Sequence, residues 1–133
     1  MTKDGGLKGI FVANLKHFDF QPIEMFLLAA GVPDLNFCCR GRDRWIELKM
    51  TRANAVTVRP AQVGWIERRL RHGGRVFVAV RRMRKDADDL LLYAGADARH
   101  LQVAGLAGAE PLGRWDGGPS RWDWLEIESL LLR

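Results

Sequence analysis

The sequence predicts an α/β domain with a mixed β-sheet flanked by helices, and three observations carry that expectation. Two stretches, about 34 to 40 and 44 to 50, alternate apolar and polar side chains around Gly41-Arg42, as a half-buried hairpin does. A proline-led segment, PAQVGWIERRLRH, then sets Val63, Ile66 and Leu70 at helical spacing and stops at Gly73-Gly74. RVFVAV, residues 75 to 80, is a β-branched run of the kind that sits inside a sheet covered on both faces. With 133 residues, 47% of them hydrophobic, the chain can bury roughly two-thirds of its unfolded surface as one domain.

The remaining elements follow in chain order. Leu7 to Phe18 reads as a helix, and Pro22 with IEMFLLAA before Gly31 as a second, short one, proline in its first turn and glycine just past its end. LLLYA (90 to 94) reads as another strand and DARHLQVAGL as a short helix. In the tail, SRWDWLEIESLLLR reads as a helix capped by Ser120. No repeat or low-complexity linker divides the chain, so residues 1 to 133 form a single domain with a motif-bearing core at 31–82 and an extension at 95–133.

Charge is distributed unevenly. Residues 40 to 85 hold 14 Lys or Arg against 3 acidic residues, while the other 87 residues hold 7 basic against 13 acidic. Such asymmetry marks a surface for a polyanion. Twelve of those 14 are arginines, which suit bidentate phosphate contacts. Arg40, Arg42, Arg44, Arg52, Arg81 and Arg82 are the candidate DNA contacts. The segment has no basic amphipathic helix with a wide apolar face, and the longest apolar run, Met25 to Ala30, is too short to span a bilayer, so no membrane partner is expected. The first residues, MTKDGGLKG, lack the apolar core of a secretion signal, which places the protein in the cytoplasm. Cys38 and Cys39 read as small hydrophobes of a reducing compartment.

The hairpin bears the chemistry. A two-residue loop at Gly41-Arg42, a type II′ turn, would pair Arg40 with Asp43 and so set Asp34 opposite Lys49 and Asn36 opposite Glu47. Leu35, Phe37, Ile46, Leu48 and Met50 then share an apolar face, and Asp34, Asn36, Glu47 and Lys49 a polar one. Asp34 and Glu47 become diagonal neighbours able to share one magnesium ion, which takes oxygen ligands and keeps part of its water shell. Lys49, on the same face, can hold a water or a phosphate oxygen beside it. An Asp34–Lys49 ion pair alone would leave Glu47 unexplained, since a second carboxylate adds repulsion unless a cation joins it.

Pro33-Asp34 and Glu47-Leu48-Lys49, followed by Gln62 and Trp65 in QVGW, Gly73-Gly74 and VFVAVRR, resemble the PD-(D/E)xK nuclease superfamily. The order is similar to its virus-type replication-repair nuclease branch and to phage-type Holliday-junction resolvases. The resemblance implies a restriction-endonuclease-like fold and metal-dependent hydrolysis of DNA phosphodiesters, structure-selective on branched DNA. It also implies Mg2+, with Mn2+ able to substitute, held by Asp34, Glu47 and the backbone carbonyl of Leu48. Lys49 would activate the attacking water and Gln62 would support Lys49 or contact phosphate. Glu24, with Asp19 behind it, is the natural candidate for an added acidic ligand.

Two rival functions stay open: a sequence-specific or end-processing nuclease of the same fold, and a basic nucleic-acid-binding domain whose acidic pair is structural. His17, His72 and His100 have no metal-ligand spacing. Trp65 reads as a core anchor, and Trp115, Trp122 and Trp124 as packing residues with base stacking as their other use. The tail from Arg121 to Leu132 carries 7 apolar residues in 12 and is expected at a homodimer interface, which would deliver two sites to one junction.

Overall fold

The computed structural model describes residues 3–24 and 31–133. A six-stranded sheet runs in the order β1-β2-β3-β4-β5-β6. The strands are β1 (Asp19–Pro22), β2 (Leu35–Cys39), β3 (Arg42–Thr51), β4 (Val76–Arg84), β5 (Ala87–Ala94) and β6 (Gly113–Trp115). All neighbours are antiparallel except β3 and β4, which are parallel and joined across helix α2 (Pro60–Arg71). Helix α1 (Leu7–Asn14) precedes the sheet; α3 (Ala98–Ala104) and α4 (Trp124–Leu132) follow β5 and β6. The α/β class and the mixed sheet are as the sequence predicts.

Each face of the sheet has its own core. Phe37, Ile46, Leu48, Phe77, Leu90 and Leu92 lie under α1 and α4. On the opposite face Val76, Val78, Val80, Leu91 and Tyr93 lie under α2 and α3. This two-sided cover is why β4 reads as an unbroken apolar run: alternate residues of VFVAV serve different cores. Trp65 is buried in the second core, with its ring centroid 5.1 Å from that of Trp45.

Several expectations need correction. The hairpin turns at Arg40-Gly41 rather than Gly41-Arg42. Both residues are left-handed (φ 50 and 78), as a type I′ turn requires. The register therefore slips by two residues, pairing Leu35 with Ile46 and Asn36 with Trp45. An even slip preserves the two faces but moves Asp34 from opposite Lys49 to one step beyond the Leu35–Ile46 pair, across from Glu47. Pro22 ends β1 on the sheet's edge, where a missing N–H is tolerated, so it does not start a helix. The rest of that expected helix, residues 25 to 30, lies outside the described residues. Helix α1 stops at Asn14, and the tail helix is capped by Asp123, whose carboxylate accepts the Glu126 N–H, rather than by Ser120.

The tail itself packs inward. Trp122, Ile127, Leu130, Leu131 and Leu132 are buried in the first core, and Phe11 meets Trp124 edge-on at 5.5 Å. Of its large apolar side chains, only Leu125 is strongly exposed (81%). The apolar content that suggested an interface between subunits is used to cover this chain's own sheet. Ile127→Ala or Leu131→Ala, each at a position with 0% exposure, should therefore destabilise the monomer by about 2–5 kcal/mol in urea unfolding. A change in sedimentation with no change in urea midpoint would instead return the tail to an interface.

Candidate active site

Glu47 and Lys49 sit in β3 just past its last pair with β2, Leu35–Ile46, and in register with Val78 and Val80 of the parallel β4. Their alternation places both on the α2 face. Helix α2 begins directly above them, and its third residue, Gln62, is buried. The chain entering the hairpin is pressed against the same helix turn. Gly31 (φ 89) lies so close that a Cβ there would fall 2.1 Å from the Ala61 carbonyl oxygen. That close approach requires glycine and brings Pro33-Asp34 in beside β3.

The contacts form one network. Asp34 Oδ2 accepts the Leu48 N–H at 2.9 Å, fixing its carboxylate across the hairpin. Gln62 Nε2 donates to Glu47 Oε2, while Gln62 Oε1 accepts both the Lys49 ammonium (2.8 Å) and the Arg59 N–H (2.9 Å). Lys49 Nζ lies 3.5 Å from Glu47 Oε2. The amide of Gln62 therefore has one workable orientation, oxygen toward the ammonium and nitrogen toward the carboxyl. Glu47 is 2% exposed, and its Oε1 is buried with no hydrogen-bond partner. Burial pushes its carboxyl up to about 8; the adjoining Asp34 carboxyl adds to the rise and Lys49 opposes it.

Around these residues lies a cleft of about 770 Å³. One wall is Asp34, Glu47, Lys49 and Gln62, with Thr57 and Arg59 from the loop leading into α2. The other wall is the N-terminal turn with Lys3, Asp4 and Lys8. Arg81 holds that turn by donating to the Gly5 carbonyl at 2.6 Å, and Gly5 packs against Met50. Sequence reading missed Arg59, Lys3 and Lys8 because only tertiary packing brings the N-terminus to β3. The one local signal was Arg59 immediately before a helix-opening proline.

The donor set suits a hard divalent cation. The carboxylates of Asp34 and Glu47 are hard oxygen donors, and the buried Oε1 of Glu47 has no hydrogen-bond donor. Among the described residues no group of three or more His, Cys, Asp or Glu could hold a metal. Water would have to complete the shell, which magnesium accepts. Glu24 is exposed and is not among the cleft-lining residues, and Asp19 is an exposed residue of edge strand β1.

The proposed DNA contacts separate into two groups. Arg40 and Arg42 are exposed at the hairpin turn, and Arg52 is exposed just past the other end of β3. By strand rise, Arg42 stands about 23 Å from Lys49. Arg44 and Arg81 are half-buried and Arg82 is buried, and each bonds across the fold. Arg44 donates to the Leu131 and Arg133 carbonyls at 2.6 and 2.9 Å, closing the end of α4. Arg81 forms a bidentate pair with Asp88 (2.9 and 2.7 Å). Arg82, 8% exposed, reaches Asp89 and Asn54. Arg44, Arg81 and Arg82 thus each have partners within the fold.

No protein-family model and no curated protein matches the chain. Among the described residues no helix is long and apolar enough to cross a membrane.

The raised Glu47 carboxyl has a measurable consequence. In the metal-free chain, Glu47 keeps its proton up to about pH 8, whereas the unfolded chain releases it near 4.5. Stability from this group is thus full below about pH 4.5 and is lost as pH rises through about 8, on the order of a few kcal/mol. Urea midpoints of the metal-free protein should fall over that window, and Glu47→Gln should flatten the fall. Parallel profiles for the two proteins would show that Glu47 ionises normally.

Proposed function

We propose that the chain is a metal-dependent endonuclease of the PD-(D/E)xK kind, on a restriction-endonuclease-like fold, hydrolysing DNA phosphodiesters. The observation that carries this is the buried Glu47 carboxyl, one oxygen unpartnered, set beside Asp34 and Lys49 in an open cleft. A buried carboxyl oxygen with no donor is costly, and such groups concentrate where chemistry requires them. A structural ion pair would have satisfied both oxygens.

Magnesium or manganese would be held by Asp34, Glu47 and the Leu48 carbonyl, where it would polarise the phosphoryl group and make a bound water acidic. The chain's own residues do the rest. Lys49, with its ammonium aimed by Gln62, donates to the attacking water or a non-bridging phosphate oxygen and offsets charge building up at phosphorus. Gln62 holds Glu47 and Lys49 at a fixed separation and is a positioning residue. Arg59, Lys3 and Lys8 give the cleft its positive rim for the flanking backbone. Selectivity for branched DNA belongs to this reading through the resemblance to junction resolvases. A two-fold dimer remains part of it, though its interface must lie elsewhere than the apolar tail.

The test is cleavage of labelled junction, flap, duplex and single-stranded DNA with magnesium and with chelator. The wild type should cut only with metal and should favour the junction. Lys49→Ala should lose about 10²–10³-fold or more in rate and Glu47→Gln should fall to background, both with intact folds. Wild-type cutting by Glu47→Gln, or cutting that survives chelation, would end the proposal. Tight DNA binding without any cutting would favour a non-catalytic binding domain.

A further inference from the structure

The sheet face that bears Glu47 and Lys49 carries a second group of charges. In-register neighbours share a face, and the pairings run Lys49 with Val80, Thr51 with Arg82, Arg82 with Asp89, and Leu91 with Arg114. Arg82, Arg84, Asp89 and Arg114 therefore point to the same side as the catalytic pair. Asp89 is 1% exposed, and its Oδ2 meets three guanidiniums: Arg114 Nη2 at 3.1 Å, Arg82 Nη2 at 3.2 Å and Arg84 Nη2 at 3.9 Å.

Three cations on one carboxylate leave the cluster with two positive charges in excess. Among the other charges of the same cleft, Asp88 pairs with Arg81, and Asp86 and Asp116 equal Lys85 and Arg121 in number. Arg82 alone could satisfy Asp89; its Nη1 goes on to Asn54 and its Nε is buried without a partner. Arg84 and Arg114 are different. Their side chains are 46% and 53% exposed, and both border a polar cleft of about 750 Å³. Gathering two further guanidiniums on a carboxylate already paired costs repulsion, unless an anion completes the set.

We propose that Arg84 and Arg114, oriented by the buried Asp89–Arg82 pair, form a non-catalytic site for a backbone phosphate of the nucleic-acid substrate. The identity of the ligand rests on the nuclease reading; the anion site rests on the charge excess and the geometry. Arg114 lies level with Lys49 three strands away, about 14 Å by strand spacing, a distance a DNA backbone covers in about four nucleotide rises of 3.4 Å. Arg82 also ties the cluster to the loop that carries Thr57 and Arg59 into the catalytic cleft, through Asn54. The guanidiniums that contact phosphate would then come from β4 and β6, not from the Arg81-Arg82 pair.

The experiment compares wild type with the double variant Arg84→Gln/Arg114→Gln, using a duplex oligonucleotide in chelator so that no cutting intervenes. Arg121→Gln, on the same cleft but outside the trio, is the charge control. Affinity should fall less steeply with salt in the double variant, the slope shrinking by about 1.8 for two lost phosphate contacts, with little change in Arg121→Gln. Inorganic phosphate should raise the melting temperature of the wild type and not of the double variant. Should the double variant fold poorly, Arg84→Lys/Arg114→Lys keeps the charge and should keep the slope while losing most of the phosphate-induced shift. An unchanged slope in the glutamine variant, or an equal loss in Arg121→Gln, overturns the site. Phosphate stabilisation with an unchanged duplex slope overturns the nucleic-acid assignment in favour of a free anion. A wild type that never cuts when magnesium is supplied, together with the expected smaller slope in the double variant, overturns the catalytic reading alone.

Discussion

The amide of Gln62 is the joint on which the architecture and the candidate chemistry both depend. A parallel β3–β4 pair needs a crossover, and α2 is that crossover. Where the helix begins is decided locally by Pro60 at its first turn and by the Arg59 N–H closing onto Gln62 Oε1. The same oxygen takes the Lys49 ammonium, and the amide nitrogen takes Glu47. One side chain thus links the crossover to the middle of the sheet and fixes the spacing of the Glu47 carboxyl and the Lys49 ammonium. The apolar side of the helix, Val63 and Ile66, seats it on Val78 and Val80. Loss of either the seat or the joint would leave the carboxyl and the ammonium free to drift.

What could be read from the sequence follows the physics of each element. The face assignment of the hairpin is legible because side chains alternate strictly, so Asp34, Glu47 and Lys49 are grouped whatever even-length turn joins the strands. The register is not legible, because it depends on whether Arg40 accepts a left-handed φ, which propensity alone disfavours. Gln62 was reached only through the resemblance, since helical spacing by itself singles out Val63, Ile66 and Leu70. Lys3 and Lys8 were not, since nothing local ties residues 3 to 9 to a cleft on the other side of β3. The tail shows the commonest failure: apolar content is visible in a sequence, but whether it covers its own domain or a neighbour's depends on packing.

The arginine-rich segment separates into functions that charge counting cannot resolve. Arg44 closes a helix end, Arg81 fastens the N-terminal turn and pairs with Asp88, and Arg82 anchors a loop through Asn54. Arg69 lies flat over Trp65, 4.5 Å from its centroid, with its stem against Gly74. Buried guanidiniums of this kind satisfy several acceptors at once, which a lysine could not do. Net charge per segment is therefore a guide to what approaches the domain and a poor guide to which residues meet it.

Two different solutions to buried charge stand on one face of the sheet. At Glu47 the deficit is of positive charge: desolvation and Asp34 hold the carboxyl protonated near neutrality, and one lysine does not reverse that. At Asp89 the deficit is of negative charge, three guanidiniums around one carboxylate. A cation at the first and a phosphate at the second would each remove a cost that the folded chain bears alone. Lys49 of the first and Arg114 of the second stand in one row across the sheet, about 14 Å apart by strand spacing. A single metal-loaded strand of nucleic acid relieves both at once, whereas neither a free metal nor a free anion relieves more than one. On the proposed function, the placement of charge on the sheet would favour an extended polyanion over a small phosphate compound before any base is read.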